Sequence, residues 1–516
     1  MENPLKELVL GALVLVFLSH SWMYSDITVP NERSRVYLAV AIVDDHTLSI
    51  DGPLKRFGPI DDRARIGERY FSDKPPGAGL LAGGVYALVR QFTAASDWSI
   101  AHLITLMRCW IMIPIGVLGF IFVRRLLRLY HVDEVWVDLS SIGWMLGSVS
   151  FHYSSAFFSH QIVSVCLIVA FFYLKKSCVP ADGSPPGRRV LTAGALCGMA
   201  TLTEYQAVVP CALLTVYLLF SPAQGKARLL GLFLGAAIPF AGALLWYNDT
   251  AFGHPLSLSY EHLAHATYRQ IHGQGIAGVT WPTLESFKLW YLTPRRGLLF
   301  GSPMFVLVPI GLLVLLTRRQ WVDGLVLGGI VLFYLLFLSS ANIWGGDWGY
   351  GPRLAVPALG LFTVAVGIGA QAVGRWPIGR LVVKVFIIWG IVLTQSIHGF
   401  FPEPWARAIN PISDIVIPMA QADVAAPNLV QKWTQIRGVV SLVPLAFLTG
   451  GMACFCLWRG EATWQWKQRI VMALTVCILI AVALYGFSTL PDSGPSSHAK
   501  WLRLIRLWQA REAIFE

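Results

Sequence analysis

Apolar runs of about 17–25 residues recur along the chain. They are separated alternately by short basic segments and by longer segments rich in acids, prolines and aromatic residues. A run of about 20 apolar residues crosses the ~30 Å hydrocarbon core of a bilayer as a helix. The pattern predicts single spans near 8–24, 101–123, 136–151, 158–174, 229–247, 298–317, 323–340, 354–372, 381–398, 439–458 and 470–487, with a helical hairpin over 190–221. That makes about thirteen spanning helices. Segment 77–92 is apolar but short and carries Gly77, Gly79, Gly83 and Gly84. It reads as a helix on the membrane interface, because a span there would reverse the order of basic and acidic loops. The tail Trp501-Leu502-Arg503-Leu504-Ile505-Arg506-Leu507-Trp508 has the spacing of an amphipathic helix on the outer leaflet.

Composition agrees: 55% of the 516 residues are hydrophobic and only 13% charged, about half the charge of a soluble domain. The expected fold class is therefore an all-α polytopic membrane protein. The net charge of +11 does not point to nucleic acid, because the basic residues sit after alternate helices. Arg124, Arg125 and Arg128, then Lys175 and Lys176, then Arg318 and Arg319 are examples. This is the positive-inside pattern and puts those loops in the cytoplasm. The first run reads as a retained helix and not a cleaved signal, since no small-residue cleavage site follows it. Seven of the eight cysteines lie in apolar runs, so no disulfide framework or zinc site is expected.

The polar residues outside these loops concentrate on the opposite, exterior side. Ten of the 29 acidic residues fall between positions 25 and 100, far more than a connector between two helices needs. Candidate chemistry sits there in Asn31-Glu32-Arg33-Ser34-Arg35 and in Ser72-Asp73-Lys74-Pro75-Pro76-Gly77. Glu32 is the candidate carboxylate base. Lys74, on backbone held extended by two prolines, is a candidate for binding a phosphate. Arg353 ends the glycine-rich run Trp344-Gly345-Gly346-Asp347-Trp348-Gly349-Tyr350-Gly351-Pro352, and its fork suits bidentate phosphate contact. Arg108 lies inside an apolar run, where an arginine is expensive and needs a partner. Asp73, Arg35, Arg296 and His160 are further exterior candidates.

Each has a plainer reading. An interfacial glutamate among arginines forms local ion pairs, Lys-Pro-Pro-Gly makes a turn, and an arginine at a helix start snorkels. Asp44-Asp45 reads as a solvated turn, and Glu261, His262, His265 and His272 as a polar loop helix more readily than a metal site.

The exterior motifs, in this order, resemble the GT-C fold glycosyltransferases that use polyprenyl-phosphate sugars, a superfamily that includes protein O-mannosyltransferases and the lipid A aminoarabinose transferase. The resemblance also takes in Tyr247-Asn248, Phe252-Gly253-His254-Pro255, Arg296-Gly297-Leu298 and Ser302-Pro303. It covers roughly residues 1–400. It implies a GT-C-like catalytic module over 1–400, including exterior loop 25–100, followed over 401–516 by an exterior loop, two helices and the amphipathic tail. It implies Glu32 as the catalytic carboxylate, with the family's Asp-Glu-x-x-Arg type motif mapping either onto Asn31-Glu32, its first acid lost, or onto Glu32 with Arg35 three residues on. It implies Lys74, Arg108 and Arg353 near the lipid phosphate. The reaction implied is inverting transfer of a sugar from a polyprenyl-phosphate donor to a hydroxyl-bearing acceptor, at the outer face of a plasma (inner) membrane. No cofactor is required by that scheme, and a metal ion is neither required nor excluded. The rival reading is a lipid or sugar transporter or flippase, which would string ionisable residues through the bundle near the midplane. A non-catalytic membrane scaffold is the third.

Overall fold

The computed structural model describes residues 4–21, 29–93, 97–178, 186–341, 349–403, 408–461, 465–500 and 502–503. Each predicted apolar run holds helix, and the chain is an all-α polytopic membrane protein. Among the described residues, eight helices are long and apolar enough to cross a bilayer: Ile100–Leu129, Ser159–Ser177, Lys226–Phe252, Trp321–Ser340, Arg353–Val373, Pro377–Phe400, Val439–Trp458 and Trp466–Ser488. The count of about thirteen is not reached by this measure, because other expected spans are shorter or interrupted. The run at 136–151 stops at Leu146, and a four-residue turn follows at Ser150–Tyr153. The reason is a backbone contact: a Cβ on Gly390 would lie 2.4 Å from the Gly147 carbonyl oxygen. The run at 298–317 breaks at Ser302-Pro303, since proline cannot donate the helical hydrogen bond.

Burial ranks the spans. The apolar windows of Ser159–Ser177 and Arg353–Val373 are 83% buried and form the centre. Those of Lys226–Phe252 and Trp466–Ser488 are 11% and 17% buried and turn Leu234, Ile238, Ile478 and Val482 outward, as lipid-facing helices do. Close helix approach depends on two glycines. A Cβ on Gly194 would meet the Phe233 carbonyl oxygen at 2.1 Å, and one on Gly311 would meet that of Ala365 at 1.9 Å. Small residues at such crossings let backbones pack closely in a bilayer.

The basic end of the bundle is locked by charge. Arg124 and Asp138, both fully buried, pair at 2.9 Å. Arg124 also holds Glu7 at 2.7 Å, and Lys6 reaches Asp138 at 2.6 Å. The cationic clusters of this end are therefore partly neutralised from within by acids of neighbouring helices.

The exterior loop is a small structured module. Helix α1 (Pro4–Ser21) leads to α2 (Pro30–Asp44), α3 (Asp51–Phe57), strands β1 (Arg63–Ile66) and β2 (Arg69–Ser72), and α4 (Gly77–Arg90). Pro30 starts α2, with Glu32 in its first turn near the positive end of the helix dipole. Strands β1 and β2 pair antiparallel across Gly67, whose φ of +57° suits the tight turn. The register Arg63↔Ser72 brings Asp62, just before β1, beside Asp73 and Lys74, just after β2. With 14 residues, α4 is about 21 Å long, too short to span. It packs on α2 through Gly79, where a Cβ would lie 2.8 Å from Leu38. The segment 342–348, which includes Trp344-Gly345-Gly346, and most of the 501–508 tail lie outside the described residues.

The packing makes a prediction. Gly194→Leu and Gly311→Leu each force side-chain atoms into facing backbone and destabilise by roughly 1–3 kcal/mol or more. Gly235→Ala, with nothing within 4 Å of a Cβ there, leaves stability unchanged. Melting of the three variants in detergent checks this, and an unchanged midpoint for the leucine variants refutes the packing.

Candidate active site

Helix α2 enters the bundle almost wholly buried, and its polar residues sort onto two sites. Glu32 faces the Ile100–Leu129 helix. There Arg108 opens a π-helical turn, Arg108–Met112, two residues before Pro114, and such widened turns often accompany functional positions. The Glu32 carboxylate accepts from Arg108 Nε at 2.8 Å and from Nη2 at 2.5 Å. A third donor is the Phe157 backbone N–H, at 2.7 Å. Glu32 has no exposed surface and Arg108 is 4% exposed. The pair thus ties three segments together.

This revises two expectations. The partner of Glu32 is Arg108 and not the flanking Arg33 or Arg35. Arg108 presents two guanidinium nitrogens to a carboxylate, where it was expected to face a phosphate. The Glu32 carboxylate thus takes three protein donors.

The second site is built on the hairpin. Lys74 Nζ lies 3.0 Å from Asp62 and donates to Asp73 at 2.8 Å. Asp73 also accepts from Ser34 Oγ at 3.0 Å, and Asp62 from Asn31 Nδ2 at 3.3 Å. Asn31 is thus used here as a donor. One turn further along α2, Arg35 donates to the Asn31 carbonyl at 2.6 Å and to Ser159 at 2.5 Å, and lies 3.7 Å from Glu204. Ser159 in turn hydrogen-bonds Glu204, and His160 Nδ1 is 3.4 Å from the same carboxylate. Arg353 acts electrostatically on Asp62, Glu204 and His160. Lys74, Asp73, Arg35, His160 and Arg353 therefore converge on one site.

Burial and charge separate the carboxylates. Burial disfavours the charged form of Asp62, but the Lys74 ammonium outweighs it and holds Asp62 below the usual carboxylate range. For Asp73 burial wins over Lys74, Asp62 adds its repulsion, and the pKa is raised. Glu204 is raised by burial in the same way, against the pull of Arg35. Lys74, between two acids, is pushed up despite its burial. Two acids on one lysine thus shift in opposite directions, Asp62 down and Asp73 up.

A third group lies on the other side of Arg353. Arg296 donates to the Gly349 carbonyl, and a Cβ on Gly349 would lie 3.9 Å from Arg353 Nη1 and 3.8 Å from Glu403. Arg296 therefore braces the glycine-rich backbone. Glu403 in turn lies 3.3 Å from His152.

Asp62, Glu204, Glu403 and His152 are the residues the sequence argument left out of the site. Asp62 was detectable, because Ala64 to Phe71 alternate around Gly67 as a hairpin does. Of the plainer readings, Asp44 is tied down by Arg56 and Tyr86. His262 and His272 stack on Phe252 and Tyr260. Among the described residues one group has metal-ligand spacing, Asp414, Asp492 and His498. It lies apart from this site. Asp414 there already accepts from the Ile409, Asn410 and Ser493 backbone N–H groups.

No family model matches the sequence, and no curated protein matches it. Solved structures do. ArnT from Cupriavidus metallidurans bound to undecaprenyl phosphate superposes with a TM-score of 0.51 at 12% identity, over 93% of this chain and 75% of that one. The Archaeoglobus fulgidus oligosaccharyltransferase in its apo form gives 0.41 at 14% identity, over 72% and 50%. The arabinosyltransferase EmbB from Mycobacterium smegmatis gives 0.42 at 11% identity, over 93% and 40%. At such identities only the fold is shared, and its assignment stands on the first likeness. The chain has the GT-C fold.

Proposed function

We propose that the chain is an integral-membrane glycosyltransferase. It would move a sugar from a polyprenyl-phosphate donor to a hydroxyl-bearing acceptor on the extracytoplasmic side, with inversion at the sugar carbon. The observation that carries this is the convergence of Lys74, Arg35 and Arg353 with Asp62 and Asp73. A transporter is expected to place its substrate charges near the midplane on interrupted helices, whereas Lys74, Asp62 and Asp73 flank a short hairpin. The GT-C fold supports the reading, and so does the undecaprenyl phosphate bound to ArnT.

In this mechanism Lys74 and Arg353 hold the donor phosphate and stabilise the charge that builds on it as the glycosidic bond breaks. Asp73 takes the acceptor proton, and the freed oxygen attacks the sugar carbon from the face opposite the phosphate. The bonding pair leaves with the phosphate, giving polyprenyl phosphate. The phosphate's negative charge raises the proton affinity of Asp73 further, so donor binding arms the base. Glu32 and Arg108 act as positioning residues that fix α2 against the spanning helix.

Three outcomes are expected with purified protein, undecaprenyl-phosphate sugars and detection of released undecaprenyl phosphate. Asp73→Asn lowers turnover by about 10²–10⁴-fold, the usual worth of a general base, with donor binding kept. Lys74→Ala weakens donor binding while the fold persists. Glu32→Gln leaves a buried arginine without its counter-charge and destabilises by about 3–5 kcal/mol, and Glu32→Leu with Arg108→Leu together restores much of that stability. If instead Glu32→Gln keeps its melting point and loses turnover, Glu32 is the base. Full turnover in Asp73→Asn removes Asp73. Release by no variant or wild type across a broad donor panel favours the transporter.

The pH dependence has a fixed sign. Asp73 must be ionised to accept a proton, and burial raises its pKa from 3.8. The acid limb of kcat/KM therefore falls at a pH above the ordinary aspartate range. A limb at or below pH ~3.9 contradicts the assignment. For orientation, a single cysteine at position 46 is labelled from outside whole cells and one at 182 is not.

A further inference from the structure

Glu403 is unlike the other buried acids of the exterior side. It is 2% exposed, and neither of its carboxylate oxygens has a hydrogen-bond partner. His152 Nε2, 3.3 Å away, is not aligned as a donor. His152 is 1% exposed, and both of its ring nitrogens are also without partners. Four polar atoms of two facing side chains are thus buried and unsatisfied together. A buried carboxylate left unbonded costs several kcal/mol, and native structures leave few such groups without a reason. By contrast Glu32, Asp62, Asp73 and Asp138 are all paired with cations.

The surroundings say what would satisfy them. Around His152 stand Tyr153, Tyr350 and Phe158, with ring centroids 4.6, 6.3 and 6.5 Å away. Arg296 and Arg353 flank Glu403 across the Gly349 backbone. A cleft lined in part by Val149, Tyr350 and Arg296 adjoins this group. Val149 immediately precedes the turn that carries His152. A carboxylate takes two hydroxyl donors side by side, and imidazole offers one donor and one acceptor. Aromatic rings supply flat apolar walls. Together these recognise a ring that is apolar on its faces and hydroxylated at its edge.

We infer that Glu403 and His152 form a subsite for the hydroxyl groups of a sugar ring, on the far side of Arg353 from Lys74. This rests on the glycosyl-transfer reading and adds to it. Lys74 and Arg353 take the phosphate, and Glu403 and His152 take the sugar hydroxyls and so set which sugar is accepted. The hydroxyls of the sugar supply the donors that the Glu403 carboxylate lacks.

The test compares binding of bare undecaprenyl phosphate with that of undecaprenyl-phosphate glucose, mannose and arabinose in wild type, Glu403→Gln and His152→Asn. Wild type is expected to bind at least one sugar-bearing lipid more tightly than the bare lipid. Glu403→Gln is expected to shrink that ratio by about tenfold or more, since hydrogen bonds to a charged group are the strong ones. Binding of the bare lipid should be unchanged. The melting point of Glu403→Gln should hold or rise, because an unbonded buried charge has been removed. His152→Asn should shrink the ratio in the same direction. A ratio of one in wild type overturns the subsite, as does an unchanged ratio in Glu403→Gln. A fall in melting point with the ratio kept shows a structural counter-ion and overturns it too. Failure of wild type to bind even bare undecaprenyl phosphate strikes the phosphate site and the glycosyl-transfer reading itself, and so is distinct from failure of the sugar subsite.

Discussion

The candidate site of this protein hangs on the ion pair between Glu32 and Arg108. It joins the first turn of α2 to the π-helical turn of the Ile100–Leu129 span, and the Phe157 N–H brings a third segment to the same carboxylate. With both side chains withdrawn from water, neither charge is tolerable without the other. The geometry of the pair therefore fixes where α2 lies along the span. Everything else carried by α2, namely Asn31, Ser34 and Arg35, is placed by that one constraint. Those three residues hold Asp62, Asp73 and Ser159.

From that anchor the site assembles by register. Strands β1 and β2 are four residues each and contribute little apolar area. Their contribution is positional, because antiparallel pairing returns the chain beside its own start. A shift of one residue would turn the strand faces over and separate Lys74 from Asp62. The two prolines after Lys74 then stop the hairpin and hand the chain to α4, which packs back on α2. The phosphate-binding lysine proposed here is thus held by a closed circuit of α2, hairpin and α4.

The fold was legible because its signals are long-range averages. Apolar runs of membrane length and alternating basic loops survive any local error, so the helices of the bundle were found. Breaks within runs were not, since Gly147 interrupts its helix only because Gly390 of a distant span needs the room. In the site, Lys74, Asp73, Arg35 and Arg353 were found as charges that an exterior loop has no other use for. What the charges did to one another was hidden. Nothing in the sequence says that Arg108, 76 positions away, satisfies Glu32. Nor does it say that Asn31 and Arg35, four apart on one face of α2, meet while Glu32 points elsewhere. Asp62 was passed over because the hairpin at 63–72 was not read from the sequence. Glu403 was passed over because the chain beyond 400 carries no part of the resemblance.

That last residue gives the site its direction. The cations beside Asp62 and Asp73 suit an incoming anion. Glu403 and His152 are the reverse, an acceptor and an imidazole with capacity for incoming hydroxyls. Arg353 stands between them, acting on Asp62 on one side and lying beside Glu403 on the other. An anionic group and a hydroxylated group joined by one bond would fill both capacities at once. A sugar phosphate ester has that form, with the bond to be broken placed beside the arginine.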